Sequence, residues 1–161
     1  MLFTPTLSAD RDLVTASDYA AWSKAAREHD RKSGMQAWRD ADESKHFDYR
    51  AIRGRLEKLR KLSAAGDVKG LLFVLNEGIH GNIDGMGHER LYAKARFGTK
   101  KLIEDYVAEV VSALGKIAAS RIPREEKRDF FRRAQHCYGR SALLLSGSGS
   151  FLFFHIGVVK A

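Results

Sequence analysis

The chain is poor in the residues that staple, interrupt or anchor a protein. Cys137 is its one cysteine in 161 residues, so no disulfide can close within it, and a reducing compartment is the expected setting. Pro5 and Pro123 are its two prolines, so little punctuates the chain and long helices are expected. No apolar run is long enough to span a bilayer; the longest, Phe151 to Val159, is broken by His155 and Gly157. The first residues lack a basic region followed by an apolar stretch, which argues against a signal peptide. These absences lead to the expectation of a cytoplasmic protein, free or peripheral to a membrane or lipid body.

Hydrophobic residues make up 44% of the chain, enough for a core, and the length allows one domain, or one domain plus a piece of another. The net charge of +8 suits an acidic partner, a nucleic acid or an anionic membrane surface, or else a solvated basic face that aids solubility.

Helical spacing dominates up to about residue 138. Residues 1–14 read as irregular. Ser17 is placed to cap a helix to about Arg31, with Tyr19, Trp22 and Ala26 on one side and Gly34 beyond its end. Met35 to Ser44 reads as a short helix around Trp38. Phe47 to Ala64 reads as a basic amphipathic helix with the stripe Ile52, Leu56, Leu59 and Leu62. Its other faces carry Arg50, Arg53, Arg55, Lys58, Arg60 and Lys61 around the acid Glu57, and Gly66 ends it. Asp67 caps Val68 to Glu77. Four glycines in the ten residues 78–87 form a loop, and Glu89 to Ala95 suits a short helix. Thr99 opens the longest helix, to about Ser120, with the stripe Leu102, Tyr106, Val107, Val110, Leu114 and Ile117. Pro123 suits the first turn of a last helix, Arg124 to about His136, with Glu125 and Glu126 near its positive end. Phe130, Phe131 and Ala134 form its apolar side, and Gly139 stops it.

The character then changes. Ser141 to Leu145 reads as a strand buried on both faces, Ser146 to Ser150 as a Gly/Ser turn, and the rest as the start of a helix. Such a turn aims backbone N–H groups at a phosphate or at a developing oxyanion. The dinucleotide fingerprint fails because Leu152 stands where its third glycine belongs, and no Gly-Lys-Ser/Thr of a P-loop is present. A lone strand–turn–helix cannot bury its own apolar surface, which leads to the expectation of either the front part of a longer enzyme or a helical protein with an unusual tail.

Several segments in order resemble the patatin-like triacylglycerol lipases. They are Leu-Asn-Glu-Gly-Ile-His-Gly-Asn at 75–82, Gly-Met-Gly at 85–87, Ala-Arg-Phe-Gly-Thr-Lys at 95–100, Phe-Phe-Arg-Arg-Ala at 130–134, and Tyr-Gly-Arg-Ser-Ala-Leu-Leu-Leu-Ser-Gly at 138–147. The resemblance implies a mostly α chain: a helical N-terminal domain at 1–138, followed at 139–161 by the first strand–turn–helix of a truncated α/β patatin-like domain. It implies hydrolysis of carboxylic esters, in triacylglycerol or phospholipid, by a Ser/Asp dyad without a cofactor. Gly147, Ser148 and Gly149 then map to the oxyanion turn. The nucleophile's G-x-S-x-G occurs nowhere in the chain, so no catalytic residue is assigned and the chain alone is expected to be inactive. Two positions depart from the family: Ser148 replaces the middle glycine of the turn, and Leu152 replaces a later one. Asp84-Gly85 matches the family's Asp-Gly dipeptide only superficially, because it precedes the catalytic strand.

Other groups have plainer readings. His80, Asp84 and His88 are spaced by four, as on a metal-binding helix face, but the glycines between them disfavour a helix, and no metal site is assigned. His155 as a base for Ser148 or Ser150 lacks an orienting acid nearby in sequence. Cys137 reads as a buried structural thiol. The stripe of the basic helix reads first as a core face. Its six cations remain candidates for an anionic membrane surface, with Trp22 and Trp38 as interface anchors. Nucleic-acid binding has no motif to support it. A lipid-surface or partner-binding module, or a remnant without function, is the alternative to a lipase piece.

Overall fold

A computed structural model describes residues 13–78 and 82–138. Its helices are α1 (Tyr19–Lys32), α2 (Met35–Asp40), α3 (Tyr49–Ala64), α4 (Val68–Gly78), α5 (Lys101–Ala119) and α6 (Arg124–Tyr138). Two 3-10 turns, Ile83–Gly85 and Glu89–Leu91, lie between α4 and α5. No strand occurs among the described residues, and no helix among them is long and apolar enough to cross a membrane. The strand at 141–145, the boundary near Gly139, and the turn residues Gly147, Ser148 and Gly149 lie outside the described residues.

The amphipathic stripes become the core. Ile52, Leu56 and Leu59 of α3 pack against α5, and α4 closes the third side with Leu71, Val74 and Leu75. Phe130 and Ala134 of α6 cover the α4 side, and Phe47, Ile83, Met86 and Leu91 complete the cluster. Leu62 and Leu114 are half-buried at its edge. Val107, expected inside, is 45% exposed, while Ile103 and Ala113 are buried. At about 100° per residue Val107 lies about 90° from the centre of the buried face of α5, on its flank.

The starts of α2, α4 and α6 fall at the expected residues, and those of α1, α3 and α5 fall one or two residues later than expected. Asp18, not Ser17, caps α1, its carboxylate accepting the Ala21 N–H at 2.8 Å while Ser17 donates its hydroxyl to that carboxylate. Asp48 caps α3 and Asp67 caps α4 through side-chain carboxylates. Thr99 does not cap α5; its hydroxyl donates to the Leu91 carbonyl at 2.6 Å, and Lys100 holds the N-cap position. Pro123 precedes α6 and its carbonyl accepts the Lys127 N–H. The expected helix from Glu89 to Ala95 shrinks to one 3-10 turn, and the residues that follow it, Arg96 and Phe97, are tied across to Asp30 of α1. The helix around Trp38 ends at Asp40 rather than Ser44.

Candidate functional site

The helix α1 contributes little to the core. Tyr19 is 72% exposed and Ala26 is its one buried apolar side chain, so polar contacts must hold it. Asp30, 1% exposed, supplies them: its two oxygens accept the Arg96 and Phe97 N–H groups, each at 2.9 Å. Each charge-assisted bond of this kind contributes about 1.5–3 kcal/mol. The Phe97 ring then lies 6.2 Å from Trp22 and takes the Arg27 guanidinium at 3.9 Å. Of the two tryptophans proposed as interface anchors, Trp38 is half-buried against the protein, while Trp22 is exposed and stacks on Tyr19 with ring centres 5.9 Å apart.

The same loop grips α2. Buried Arg39 donates Nε–H to the Thr99 carbonyl at 3.0 Å and Nη2–H to both Glu104 oxygens at 2.9 Å. Glu104 Oε1 also accepts the Thr99 N–H at 2.8 Å. Lys100, 1% exposed, donates Nζ to the carbonyls of Trp38, Ala41 and Glu43 at 2.7, 2.7 and 3.1 Å. Three acceptors require three donors, which an amine has only when protonated. Burial nonetheless pushes this lysine below its ordinary range, with Lys94 adding to the effect. The segment 95–100 is therefore a polar clamp tying α1, α2 and α5.

The six cations of α3 fare unequally. Arg53 pairs with Asp42, Arg55 Nε with Asp84 at 2.8 Å, and Arg60 lies 3.6 Å from Asp105. Arg50 donates Nε–H to the Tyr49 hydroxyl at 3.2 Å. Lys58 and Lys61 are exposed and have no carboxylate partner among the described residues.

Asp84 and His88 do not form a metal site together. Asp84 stands at φ 50 and is engaged by Arg55, its carbonyl accepting the Asp48 N–H at 2.8 Å. His88 Nδ1 accepts the Arg90 N–H at 3.2 Å. No metal-binding cluster of His, Cys, Asp or Glu is present among the described residues, and His80 lies outside them. Cys137 is exposed rather than buried, because it lies beyond Ala134, the last buried residue of α6 among those described. His155, Ser150 and Leu152 also lie outside the described residues.

A cleft of about 410 Å³ opens beside the clamp, lined by Trp38, Glu43, Ser44, Lys45, His46, Arg90, Ala93 and Lys94. Lys94 Nζ stands 4.9 Å from the centre of the Trp38 ring and Lys100 Nζ 4.6 Å. The rings of His46 and His88 lie 4.6 Å apart. Burial pushes the His46 imidazole below its ordinary range, and His88, Arg90, Lys45 and Lys94 push it the same way. Sequence reading missed this cleft, because its residues come from two segments about fifty positions apart, neither bearing a motif.

Among the described residues, six helices braced by a buried polar clamp, with a cationic cleft at its side, define a helical module. The chain belongs to the family described as "Domain of unknown function (DUF3336)", whose model matches residues 6–136. It is 36% identical over 152 residues to a patatin-like phospholipase domain-containing protein of Cryptococcus neoformans, covering 94% of this chain and 18% of that protein. A protein of the same description from Meyerozyma guilliermondii is 35% identical over 150 residues, covering 92% of this chain and 21% of its own length. One from Pyricularia oryzae is 32% identical over 172 residues, covering 94% and 22%. The chain thus spans about a fifth of the length of these curated relatives. No solved structure matches. The resemblance drawn from the patatin-like segments is borne out by these relatives.

Proposed function

We propose that this chain is the helical, non-catalytic module of a patatin-like acylglycerol lipase, whose parent hydrolyses carboxylic esters of triacylglycerol or phospholipid with a Ser/Asp dyad. The observation that carries this reading is the match over most of the chain to several patatin-like phospholipase domain-containing proteins. The family-like segment at 95–100 supports a scaffold role, since its polar groups are spent on Asp30, Arg39, Glu104 and backbone carbonyls. In this reading Gly147, Ser148 and Gly149 belong to the parent's oxyanion turn, and residues 139–161 open its α/β domain.

The purified 161-residue chain is expected to show no serine-dependent esterase activity, because G-x-S-x-G does not occur in it. Turnover of a short-chain acyl ester that disappears in Ser148→Ala or Ser150→Ala would overturn this. A lipid-surface role for α3 rests on Arg50, Lys58 and Lys61, since Arg53, Arg55 and Arg60 are drawn to acids of the same chain. Co-sedimentation with anionic vesicles at low salt is expected to weaken in Lys58→Ala/Lys61→Ala; unchanged retention removes α3 as the contact.

A further inference from the structure

We propose that the cleft between the 43–46 segment and the 90–94 segment is a binding site for a phosphate group, carried on a lipid headgroup or on a soluble ester. The proposal is independent of the lipase reading and concerns a different surface from α3.

The convergence of unpaired cations is the first ground. Arg31, Arg53, Arg55, Lys101 and Arg128 each reach a carboxylate within 4 Å, and the unpaired Lys58 and Lys61 stand on α3, away from this cleft. Lys45, Arg90 and Lys94 are exposed around one cleft, and none of them has a carboxylate partner among the described residues. The one acid of the lining is Glu43. Converging cations without an internal counter-ion concentrate positive potential in a concave space, and focusing of this kind attracts an anion.

The second ground is that the cleft is built by fixed parts. Buried Lys100 pins the carbonyls of Trp38, Ala41 and Glu43, setting one wall. Trp38 supplies a ring that lies close to the Lys94 ammonium. On the other wall, the His88 side chain caps the turn that carries Arg90. His46 sits half-buried between the walls; burial chiefly lowers its proton affinity, and His88, Arg90, Lys45 and Lys94 add to the effect. A guanidinium, two ammonium groups and an imidazole offer donors suited to phosphate oxygens, the guanidinium in the bidentate manner. The volume of about 410 Å³ falls in the range of ligand pockets, about 300–1,000 Å³.

The test uses the full chain, with the variant Arg90→Ala/Lys94→Ala, whose two side chains are exposed, so that its thermal melt is expected to match the wild type. Inorganic phosphate is titrated at constant ionic strength while the His46 imidazole is followed by NMR. A saturable shift with a raised His46 pKa, lost in the variant, is expected. In parallel, co-sedimentation compares phosphatidylcholine vesicles with phosphatidylcholine vesicles containing phosphatidic acid. Retention by phosphatidic acid that falls about thirty-fold in the variant, at about 1 kcal/mol per cation removed, assigns the phosphate to a membrane headgroup. Saturable phosphate binding, with vesicle retention equal in wild type and variant, assigns it to a soluble ester. The proposal is overturned if phosphate leaves His46 unmoved and the variant's vesicle retention matches the wild type. Glu43→Gln removes the opposing acid and is expected to tighten whichever binding is seen.

Discussion

Gly98 and Gly66 share a backbone conformation, with φ of 69° and 66°, but not their surroundings. A Cβ added at Gly66 would meet nothing within 4 Å. At Gly98 it would overlap Glu104 Oε1 and stand 3.1 Å from Arg39 Nη2. A left-handed alanine costs about 1–2 kcal/mol at either position. The entropy that alanine removes from the unfolded chain is common to both and cancels in the comparison. Moving the end of a glutamate side chain is ordinarily cheap, but this carboxylate accepts both Arg39 bonds and the Thr99 N–H. Breaking a buried pair costs about 3–5 kcal/mol, and since Glu104 is 37% exposed, a discounted figure of about 2 kcal/mol is appropriate. Gly98→Ala should therefore cost about 3–4 kcal/mol and Gly66→Ala about 1–2 kcal/mol. For a domain of this size the melting temperature should fall by about 12 °C and about 5 °C respectively. Urea unfolding followed by circular dichroism gives both free energies, provided the slopes agree. In the Glu104→Ala background the two alanine substitutions should cost the same, which closes a double-mutant cycle. Equal costs in the wild-type background would refute the clamp geometry.

Lys100→Met keeps the stem but strips three carbonyls of their donor, and should lower unfolding stability by about 3 kcal/mol; a loss below about 1 kcal/mol would mean that water replaces the ammonium freely. Arg31 chiefly, with Lys32, lowers the Glu28 carboxyl from 4.5 to about 2. A depressed carboxyl stabilises the fold above its unfolded value and loses that contribution as pH falls from 4.5 to about 2, so Glu28→Gln should flatten the acid limb of a stability–pH curve there; an unaltered limb would refute the pairing. Cys137 should react with a thiol reagent in the native protein as fast as after unfolding, and protection in the folded state would contradict its exposed position.

Much of the helical plan was legible because its causes are local. A period of 3.6 residues placed Ile52, Leu56 and Leu59, and most of the α5 stripe, on buried faces, and the carboxylate of Asp67 and the ring of Pro123 marked helix starts. Local logic also explains the near misses: Ser17 and Asp18 are both good caps, and only the extended backbone at Asp18 decided between them.

What the sequence by itself determined is the helical class, the apolar stripes, the lack of a G-x-S-x-G serine and the resemblance to patatin-like proteins. What the tertiary structure decided is where charge goes. The basic face of α3 was visible as six cations, but acids from three other segments, Asp42, Asp84 and Asp105, draw Arg53, Arg55 and Arg60 into the fold. The segment 95–100 bore a family resemblance whose meaning emerged only when Asp30 and Arg39, some sixty residues earlier, closed on it. The cleft cations gathered by the same long-range docking. Charges have no periodicity to read along a chain; their partners depend on which distant segments packing brings within a few ångströms, and Coulomb energy at that range depends on both distance and burial.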